Sequence, residues 1–318
     1  MPAAARTLVK VGKRELSLSN LDKVLWPDDG YTKGDLIAYY RSVAQWIVPH
    51  LKGRPLTMER YPNGIDAPAF WEKNAPRGLP PWVETVAVPS DDGRRKTIDF
   101  ILCNDEATLV YVANLASIVL HVWQSHVGSL ERPDYLLFDL DPNRCSIATL
   151  ARVAIRFRDM VRELGLDALV KTTGGKGLHL VIPLVPQYSY DAAKTFGELI
   201  ARRVHEEVPK LTTLERTIAK RPAGTVMLDW VQVGEGKTMA APFSVRPRPR
   251  APVSWPLGWD EVEAMTRKRA PDTAAEMARW TIENVPGLLR KGGDRWAGRG
   301  WKEQRLEPAL KKARQLWG

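Results

Sequence analysis

The sequence has 318 residues, and its hydrophobic share of 44% is enough to build a core in one large α/β domain or in two packed lobes. Its net charge of +10 and pI near 9.6 favour an anionic partner such as nucleic acid, although basic charge alone does not identify one. Two cysteines exclude a disulfide framework, and the absence of any run near about eighteen apolar residues excludes a membrane partner, so we expect a soluble, cytoplasmic protein.

The first predicted helix follows the motif LSNLDKVLWP. Thr32 and Asp35 have the spacing of a helix-capping box, and apolar residues then repeat at helical spacing as far as His50. Lys23 and Lys33 lie just before and at the start of this helix, where backbone N–H groups and the helix dipole favour a phosphate. A solvated surface position is the more common explanation for such lysines.

An aromatic pair follows in the segment RYPNGIDAPAFWEKN, residues 60–74. Phe70 and Trp71 are adjacent, so in a strand their rings face opposite ways. One ring could therefore be exposed for base stacking, although two core positions are the commoner arrangement for an isolated pair. Two short runs, Leu109 to Val112 and Ile118 to Trp123, are then predicted as strands, the second containing His121.

The strand DYLLFDLDP, residues 134–142, carries two carboxylates on one predicted face. At a period of two, Asp139 and Asp141 share a face while the other face is apolar. Their Cα atoms would lie roughly 6.5 to 7 Å apart, close enough to share a divalent cation. The alternative is a strand end whose acidic side chains face water before Pro142, and this short pattern does not decide between the two.

A third carboxylate lies in another short apolar run, TVMLDWV, residues 225–231. Asp229 is near its centre. Two aspartates on one strand and one on another form an oxygen-rich set that suits Mg²⁺ or Mn²⁺ better than zinc. Such a set typically holds two cations roughly 3.5 to 4 Å apart and supports phosphoryl transfer.

Two amphipathic helices are predicted on either side of a glycine-rich turn. The helices cover Ile147 to Leu164 and Asp191 to Val208, and between them Ala168 to Pro183 reads as strand, turn and strand. The turn TGGKG contains Thr173 and Lys176, and it lacks both the spacing and the following helix of a Walker A loop. It is either a different phosphate-binding turn or an ordinary hairpin turn.

The C-terminal part is predicted to be helical and basic. Helices are expected near Asp260 to Lys268 and Asp272 to Ile282, and residues 291–318 form a basic tail with three tryptophans.

Taken together, these motifs resemble the polymerase domain of bacterial DNA ligase D, a branch of the archaeo-eukaryotic primase superfamily that acts in non-homologous end joining. The motifs occur in family order over roughly residues 15 to 260: LDKVLWP, YTKGDLIAYY, PNGIDAPAFWEKN, LHVW, DYLLFDLDP, TTGGKGLHL, MLDW and APFSVRPRP. The resemblance implies an α/β (α+β) fold of the primase type, in which mixed β-sheets carry the aspartates and helices flank them. It implies a catalytic core with an N-terminal DNA-end-binding segment over residues 1–260, and we expect a helical extension packed on that core over residues 261–318.

The resemblance also implies a role for individual residues of this sequence. Catalysis and metal binding fall to Asp139, Asp141 and Asp229, with His179 supporting the metal-bearing face. Nucleotide binding is implied for Trp71, His121, Thr173, Lys176, Gln232 and Arg246, and DNA binding for Asn20, Lys23, Lys33, Arg60, Phe70 and Arg221. Val233 and Glu235 depart from the family pattern, which bears on local nucleotide or DNA contacts and leaves the aspartates unaffected.

The function implied by this resemblance is templated nucleotide addition, with two Mn²⁺ or Mg²⁺ ions, at short gaps in broken DNA. The resemblance also implies a preference for NTP over dNTP substrates and recognition of a downstream 5′-phosphate. The implied location is nucleoid-associated, and the implied partners are Ku and a DNA ligase. Alternatives are a primase or lesion-tolerant primase-polymerase, a DNA-end synapsis module with little catalysis, and a two-metal nuclease.

Overall fold

The computed structural model describes residues 6–90, 96–268, 273–297 and 301–317. The mixed α/β fold expected from the sequence is confirmed. The strands, in chain order, are β1 Arg6–Val11, β2 Arg14–Ser19, β3 Val24–Trp26, β4 Tyr31–Thr32, β5 Pro55–Arg60, β6 Phe70–Glu72, β7 Thr85–Pro89, β8 Thr97–Leu102, β9 Ser117–Trp123, β10 Tyr135–Asn143, β11 Leu169–Thr172, β12 Leu178–Pro183, β13 Thr212–Thr213, β14 Thr225–Asp229, β15 Thr238–Ala240 and β16 Pro256–Leu257. The helices are α1 Lys33–Ser42, α2 Ala44–Leu51, α3 Glu106–Asn114, α4 Ile147–Glu163, α5 Tyr190–Glu207, α6 Trp259–Met265, α7 Thr273–Met277, α8 Val285–Gly292 and α9 Leu306–Trp317.

The chain forms two compact units, each assembled from separate stretches of sequence. Unit 1 comprises Met1–Trp123, Thr238–Ser254 and Trp280–Gly293, and unit 2 comprises Gln124–Lys237, Trp255–Arg279 and Asp294–Gly318. The division at residue 260 into a core and a C-terminal extension stays a prediction. Among the residues that the structure describes, none of the helices combines the length and the apolar character needed to span a membrane.

Unit 1 is built on a sheet with the strand order β15-β9-β5-β8-β7, to which β6 adds alongside β5. Strand β9 is buried along its whole length and lies between β15 and β5. Strands β5 and β9 pair antiparallel, with Thr57 opposite His121. This pairing places His121 on an interior strand of the sheet of unit 1, next to the edge strand β15.

One strand predicted for unit 1 is wrong. The run Leu109 to Val112 lies in helix α3, which extends over Glu106–Asn114. The side chain of Asp105 caps this helix by accepting a hydrogen bond from the backbone N–H of Thr108. A short apolar run fits a buried helix as well as a strand, so periodicity alone could not separate them.

The helix predicted from Thr32 to His50 is divided in the structure. The capping box of Thr32 and Asp35 is confirmed at the start of α1. At Val43 the backbone leaves helical geometry, with φ −108° and ψ 5°, and α2 begins at the next residue.

Unit 2 is built on a sheet with the order β13-β14-β10-β12-β11-β16. The predicted aspartate strand is confirmed as β10, between β14 and β12. On its apolar face, the ring of Phe138 lies 4.5 Å from that of Phe157 in α4, and a Cβ atom at Gly197 of α5 would lie 3.6 Å from Phe138. Helices α4 and α5 therefore cover the apolar face, and the aspartates point to the other.

The other predicted helices of unit 2 agree with the structure within a few residues. Helices α4 and α5 begin after Ser146 and Ser189, whose side chains accept hydrogen bonds from first-turn N–H groups. Helix α6, Trp259–Met265, starts one residue before the first predicted C-terminal helix, and α7, Thr273–Met277, covers only the first part of the second. Residue 272, where the second of these was predicted to start, lies outside the described residues.

Candidate active site

The three predicted aspartates lie on one face of two neighbouring strands of unit 2. Asp139 of β10 is directly opposite Asp229 of β14, and Asp141 is two residues further along β10. Directly opposite residues of an antiparallel pair have Cβ atoms about 4.5 to 5.5 Å apart and point to the same face. The side chain of Asp139 is 25% exposed and that of Asp141 39%, while Asp229 is buried. Solvent therefore reaches this face mainly at Asp141.

Asp229 is held by the residues that follow it in the chain. Its Oδ1 accepts a hydrogen bond from the N–H of Val231 at 2.9 Å, and its Oδ2 accepts one from Nε2 of Gln232 at 2.8 Å. On the neighbouring strand, Oδ1 of Asp139 lies 3.7 Å from Nε2 of His179. Gln232 thus orients Asp229, a carboxylate to which the family resemblance assigned metal binding, and His179 lies beside Asp139.

Asp141 faces an arginine whose side chain is 11% exposed. Nη1 of Arg221 lies 3.4 Å from Oδ2 of Asp141. The same guanidinium donates hydrogen bonds at 3.1 Å to the carbonyl oxygens of Glu215 and Arg216, and the side chain of Asn143 donates to the carbonyl of Arg221. These bonds tie the segment 215–221 to itself and to the end of β10, so the positive charge of Arg221 is held beside Asp141.

The donor chemistry of this face fits a hard divalent cation, because it offers three carboxylates from adjacent strands. Across residues 6–90, 96–268, 273–297 and 301–317, however, no three His, Cys, Asp or Glu side chains converge in a way that could hold a metal ion. Two of the three carboxylates are already bonded within the protein, Asp229 to Gln232 and Asp141 to Arg221.

The glycine-rich segment is a strand–turn–strand hairpin, as predicted. The N–H of Thr173 donates to the carbonyl of Gly177, and Oγ1 of Thr173 accepts from the N–H groups of Gly175 and Gly177 at 3.1 and 3.3 Å. These two amides are therefore used inside the turn. Lys176 is exposed, so the side chains of the turn are better placed than its amides to contact an anion.

The exposed aromatic pair lies on β6, at the side of β5 in unit 1. Phe70 is 42% exposed and Trp71 56%, so the interpretation of both rings as core residues is wrong. The ring of Trp71 lies 4.5 Å from the imidazole of His121. The guanidinium of Arg60 lies over the ring of Phe70 at 4.8 Å and pairs with Glu72 at 2.5 Å. Both rings offer surface for stacking.

Glu59 is a site residue that the sequence analysis missed. Its Oε2 lies 3.0 Å from Nε2 of His121, and its Oε1 accepts a 2.5 Å hydrogen bond from the hydroxyl of Tyr61. Burial acts to raise the pKa of Glu59, but the hydrogen bonds from His121 and Tyr61 and the charges of His121 and Arg246 outweigh it and lower the pKa. A Glu inside the apolar strand PLTMER was the available signal.

Lys33 is buried although it was expected near a phosphate. Its Nζ donates to the carbonyl of Asn114 at 3.0 Å and to Oγ of Ser19 at 3.4 Å. Burial, with repulsion from Lys23 and Arg60, lowers the pKa of Lys33 to about 8. Its ammonium is therefore partly deprotonated in mildly alkaline solution.

The first N–H groups of helix α1 are bonded within the protein. Those of Lys33, Gly34 and Asp35 donate to the Lys23 carbonyl, the Leu21 carbonyl and Thr32 Oγ1 respectively. Nζ of Lys23 is exposed and donates to Asn63 at 3.0 Å. Beside it is an open groove of about 570 Å³ lined by Thr7, Asn20, Leu21, Asp22 and Lys23. A phosphate at this position would meet side chains and not helix amides.

The sequence profile of the family described as "LigD, primase-polymerase domain" matches residues 32–296. The chain belongs to this family. Its relatives include the multifunctional non-homologous end joining protein LigD of Mycolicibacterium smegmatis, 37% identical over 248 residues (77% of this chain, 32% of the relative). The bifunctional LigD of Bacillus subtilis is 31% identical over 281 residues (88% of this chain, 43% of the relative). The chain thus spans less than half the length of these curated relatives.

Among solved structures, the chain is similar to one described as the polymerase domain from Mycobacterium tuberculosis ligase D in complex with DNA. The TM-score is 0.79 and the sequence identity 33%, with 91% of this chain and 99% of that chain covered. The resemblance drawn from the sequence motifs and the fold that it implied are therefore both confirmed.

We predict that Gly177→Ala destabilises unit 2. A Cβ atom at Gly177 would lie 2.5 Å from the carbonyl oxygen of Leu140, a backbone atom between Asp139 and Asp141. Relieving this overlap requires the turn or β10 to move, at a cost of about 1 to 3 kcal/mol. Thermal unfolding measures the loss. Gly287→Ala is the control, because nothing lies within 4 Å of its Cβ position; equal melting temperatures for the two variants would contradict the prediction.

We also predict that Glu59→Gln changes the acid sensitivity of folding. The folded state lowers the pKa of Glu59 below its ordinary value of 4.5. The Glu59 carboxylate therefore stabilises the fold fully at pH values above 4.5, and this stabilisation is lost as the pH falls through the folded-state pKa. The variant should therefore lose about 1.5 to 3 kcal/mol at pH 7, with a smaller difference near pH 3.

Denaturant unfolding at several pH values measures the effect of Glu59→Gln. Glu303→Gln, which changes an exposed carboxylate, is the matched control and should follow the wild type. A difference between Glu59→Gln and wild type that does not vary with pH would argue against a role for the charge.

Proposed function

We propose that this chain is a template-dependent nucleotidyltransferase that fills short gaps at DNA double-strand breaks in non-homologous end joining. The observation that carries the proposal is the common face of Asp139, Asp141 and Asp229, on paired strands, in a chain of the LigD primase-polymerase family. Three carboxylates on one sheet face suit phosphoryl transfer, in which charge stabilisation and positioning supply most of the catalysis.

The aspartates of β10 and β14 would hold two Mn²⁺ or Mg²⁺ ions. When bound, such ions activate the primer 3′-hydroxyl as a nucleophile and stabilise the leaving pyrophosphate. The protein's own part is to hold the carboxylates on one face and to release Asp141 from Arg221. Once released, the guanidinium of Arg221 would be available to a phosphate group of DNA.

The remaining roles in nucleotide binding are proposed from the family resemblance and from local geometry. Thr173 and Lys176 would contribute a hydroxyl and a point charge to the triphosphate. In unit 1, the family resemblance assigns nucleotide binding to Arg246 and to His121, whose imidazole lies beside Glu59. Trp71, which is 56% exposed, would stack on the incoming base.

We further propose that unit 1 recognises the DNA downstream of a gap. Lys23 is exposed beside the groove that Asn20 lines, and Lys33 is buried nearby. Together they would bind a 5′-phosphate, while Arg60 and Phe70 contact the template strand. The similar solved polymerase domain is described as a complex with DNA, which supports a nucleic-acid substrate.

The partners and the sugar preference complete the proposal. Ribonucleotides would be favoured over deoxynucleotides, and Ku and a DNA ligase would act with this chain at the break, near the nucleoid. These assignments come from the family resemblance, in which the curated relatives are named for non-homologous end joining.

The experiment that tests the function is primer extension across a gap of one to three nucleotides, with NTP or dNTP and Mn²⁺, with and without a downstream 5′-phosphate. Extension that favours NTP and depends on the phosphate is the expected result. Synthesis that ignores the phosphate, or that starts without a primer, would favour a primase. Tight binding to DNA ends without synthesis would favour a synapsis module.

We predict that Asp229→Asn lowers extension by about 100-fold or more while DNA binding stays close to wild type, since the change removes a metal-binding charge without removing volume. Single-turnover extension and fluorescence anisotropy measure the two properties. Asp167→Asn, at an exposed position of unit 2, is the control and should extend normally. Normal extension by Asp229→Asn would refute the assignment of the aspartates.

We predict that preference for a 5′-phosphate declines as pH rises through about 8. The pKa of Lys33 is lowered to about 8, so its side chain is a charged ammonium below that pH and a neutral amine above it. A terminal phosphate is already mostly dianionic above about pH 7, so the change reports on the protein. The affinity ratio of phosphorylated to unphosphorylated gapped DNA should fall by up to about tenfold between pH 7 and 9.

Anisotropy titrations at several pH values measure this ratio. Lys33→Met should lower the affinity ratio at pH 7 and abolish its fall near pH 8. Lys23→Met should also lower the ratio but should keep this fall. A ratio in wild type that stays constant over this pH range would exclude Lys33 as a phosphate ligand.

A further inference from the structure

Lys171 of β11 is a buried lysine in the sheet of unit 2. Its relative exposure is 0%, and it is among the largest fully buried side chains of the described residues. Its Nζ donates a long hydrogen bond of 3.5 Å to the carbonyl of Thr172. Fully buried lysines are rare in proteins, because an ammonium loses its hydration on burial. This position therefore requires an explanation.

The strand registers place Lys171 in line with the aspartates. Lys171 is directly opposite His179, His179 is directly opposite Asp139, and Asp139 is directly opposite Asp229. Directly opposite residues of antiparallel strands point to the same face. The four residues thus form a row of ionisable side chains across β11, β12, β10 and β14, in which Nε2 of His179 lies 3.7 Å from Oδ1 of Asp139.

Stability of the fold is a weak reason to keep a lysine here, because replacing a buried charged group with an apolar residue of similar volume is often neutral or stabilising. The electrostatics of the row offer a stronger reason. Two carboxylates on opposing strands repel each other, and neighbouring strands are about 4.8 Å apart, so the backbone of Lys171 is roughly 10 Å from that of Asp139. At that separation in a buried setting, a positive charge substantially offsets their negative potential.

We propose that Lys171 is a positioning residue of the aspartate face, whose buried ammonium acts through His179 to offset the charge of Asp139 and Asp229. The row then keeps its geometry when no cation is bound, and the face binds a divalent cation weakly enough to exchange it. This inference rests on the proposed function in one respect, namely that the aspartate face binds divalent cations.

The test is a Mn²⁺ titration of the full chain, without DNA or nucleotide, followed by the electron paramagnetic resonance signal of free Mn²⁺. Lys171→Met removes the ammonium at nearly constant length. Because one positive charge near the ion is lost, the affinity for Mn²⁺ should increase by roughly fivefold or more. The melting temperature of the variant should be equal to or above that of the wild type.

Two further variants isolate the effect of charge at this position. Lys171→Arg keeps the charge and should keep wild-type Mn²⁺ affinity. Lys311→Met makes the same chemical change at an exposed lysine of helix α9 in unit 2, and it should leave Mn²⁺ affinity within roughly twofold of wild type. A tightening in all three variants would overturn the proposal, because charge at residue 171 would then not be the cause.

A purely structural role predicts the opposite pattern. In that case Lys171→Met lowers the melting temperature, and the folded variant binds Mn²⁺ no more tightly than wild type. If Lys171→Met does not fold, Lys171→Gln, which keeps a donor for the Thr172 carbonyl, gives the same reading. Failure of both variants to fold overturns the proposal by assigning Lys171 to the stability of the sheet.

The same titration separates this inference from the proposed function. Asp139→Asn should weaken Mn²⁺ binding in any case in which the aspartate face is a metal site. Equal Mn²⁺ affinity in wild type and Asp139→Asn would remove the metal site itself. An Asp139-dependent affinity that Lys171→Met leaves unchanged would remove only the role of Lys171.

Discussion

The pairing of strand β10 with its two neighbours is the constraint on which the candidate active site depends. Antiparallel register sets Asp139 opposite Asp229 on one side and opposite His179 on the other. A shift by one residue would turn each side chain to the opposite face. The packing of Phe138 beneath α4 prevents such a shift, because it would expose the apolar face and bury carboxylates.

Several candidate residues are already paired with an oppositely charged group of the protein. Asp141 faces Arg221, and His121 faces Glu59, in each case with a distance of 3.4 Å or less. Such pairs limit the cost of holding charged side chains away from water. They also mean that a substrate or a cation binds by exchanging partners, so the strength of these internal pairs enters directly into the affinity for ligand.

Internal bonding is also found in the two segments that the sequence motifs connect with phosphate. In the glycine-rich turn, the amides of Gly175 and Gly177 bond to Thr173, and at the start of α1 the amides of Lys33 and Gly34 bond to carbonyl groups. Because these amides are already bonded, we expect anion recognition in both places to use side chains. A lysine side chain can be substituted, whereas a backbone N–H group stays when the side chain is changed. The contribution of each segment to anion binding can therefore be tested directly by substitution.

The sequence by itself determined the aspartate strand, its shared face and the family, because alternation along one strand and the order of short motifs are local properties of the chain. It could not separate strand from helix at Leu109 to Val112, where an apolar run fits both. Only the tertiary structure decided the partners: Glu59 meets His121 across 62 residues, and Lys171 joins the row of Asp139 through strand register. Register between distant strands arises from packing of the whole sheet, so no local pattern encodes it.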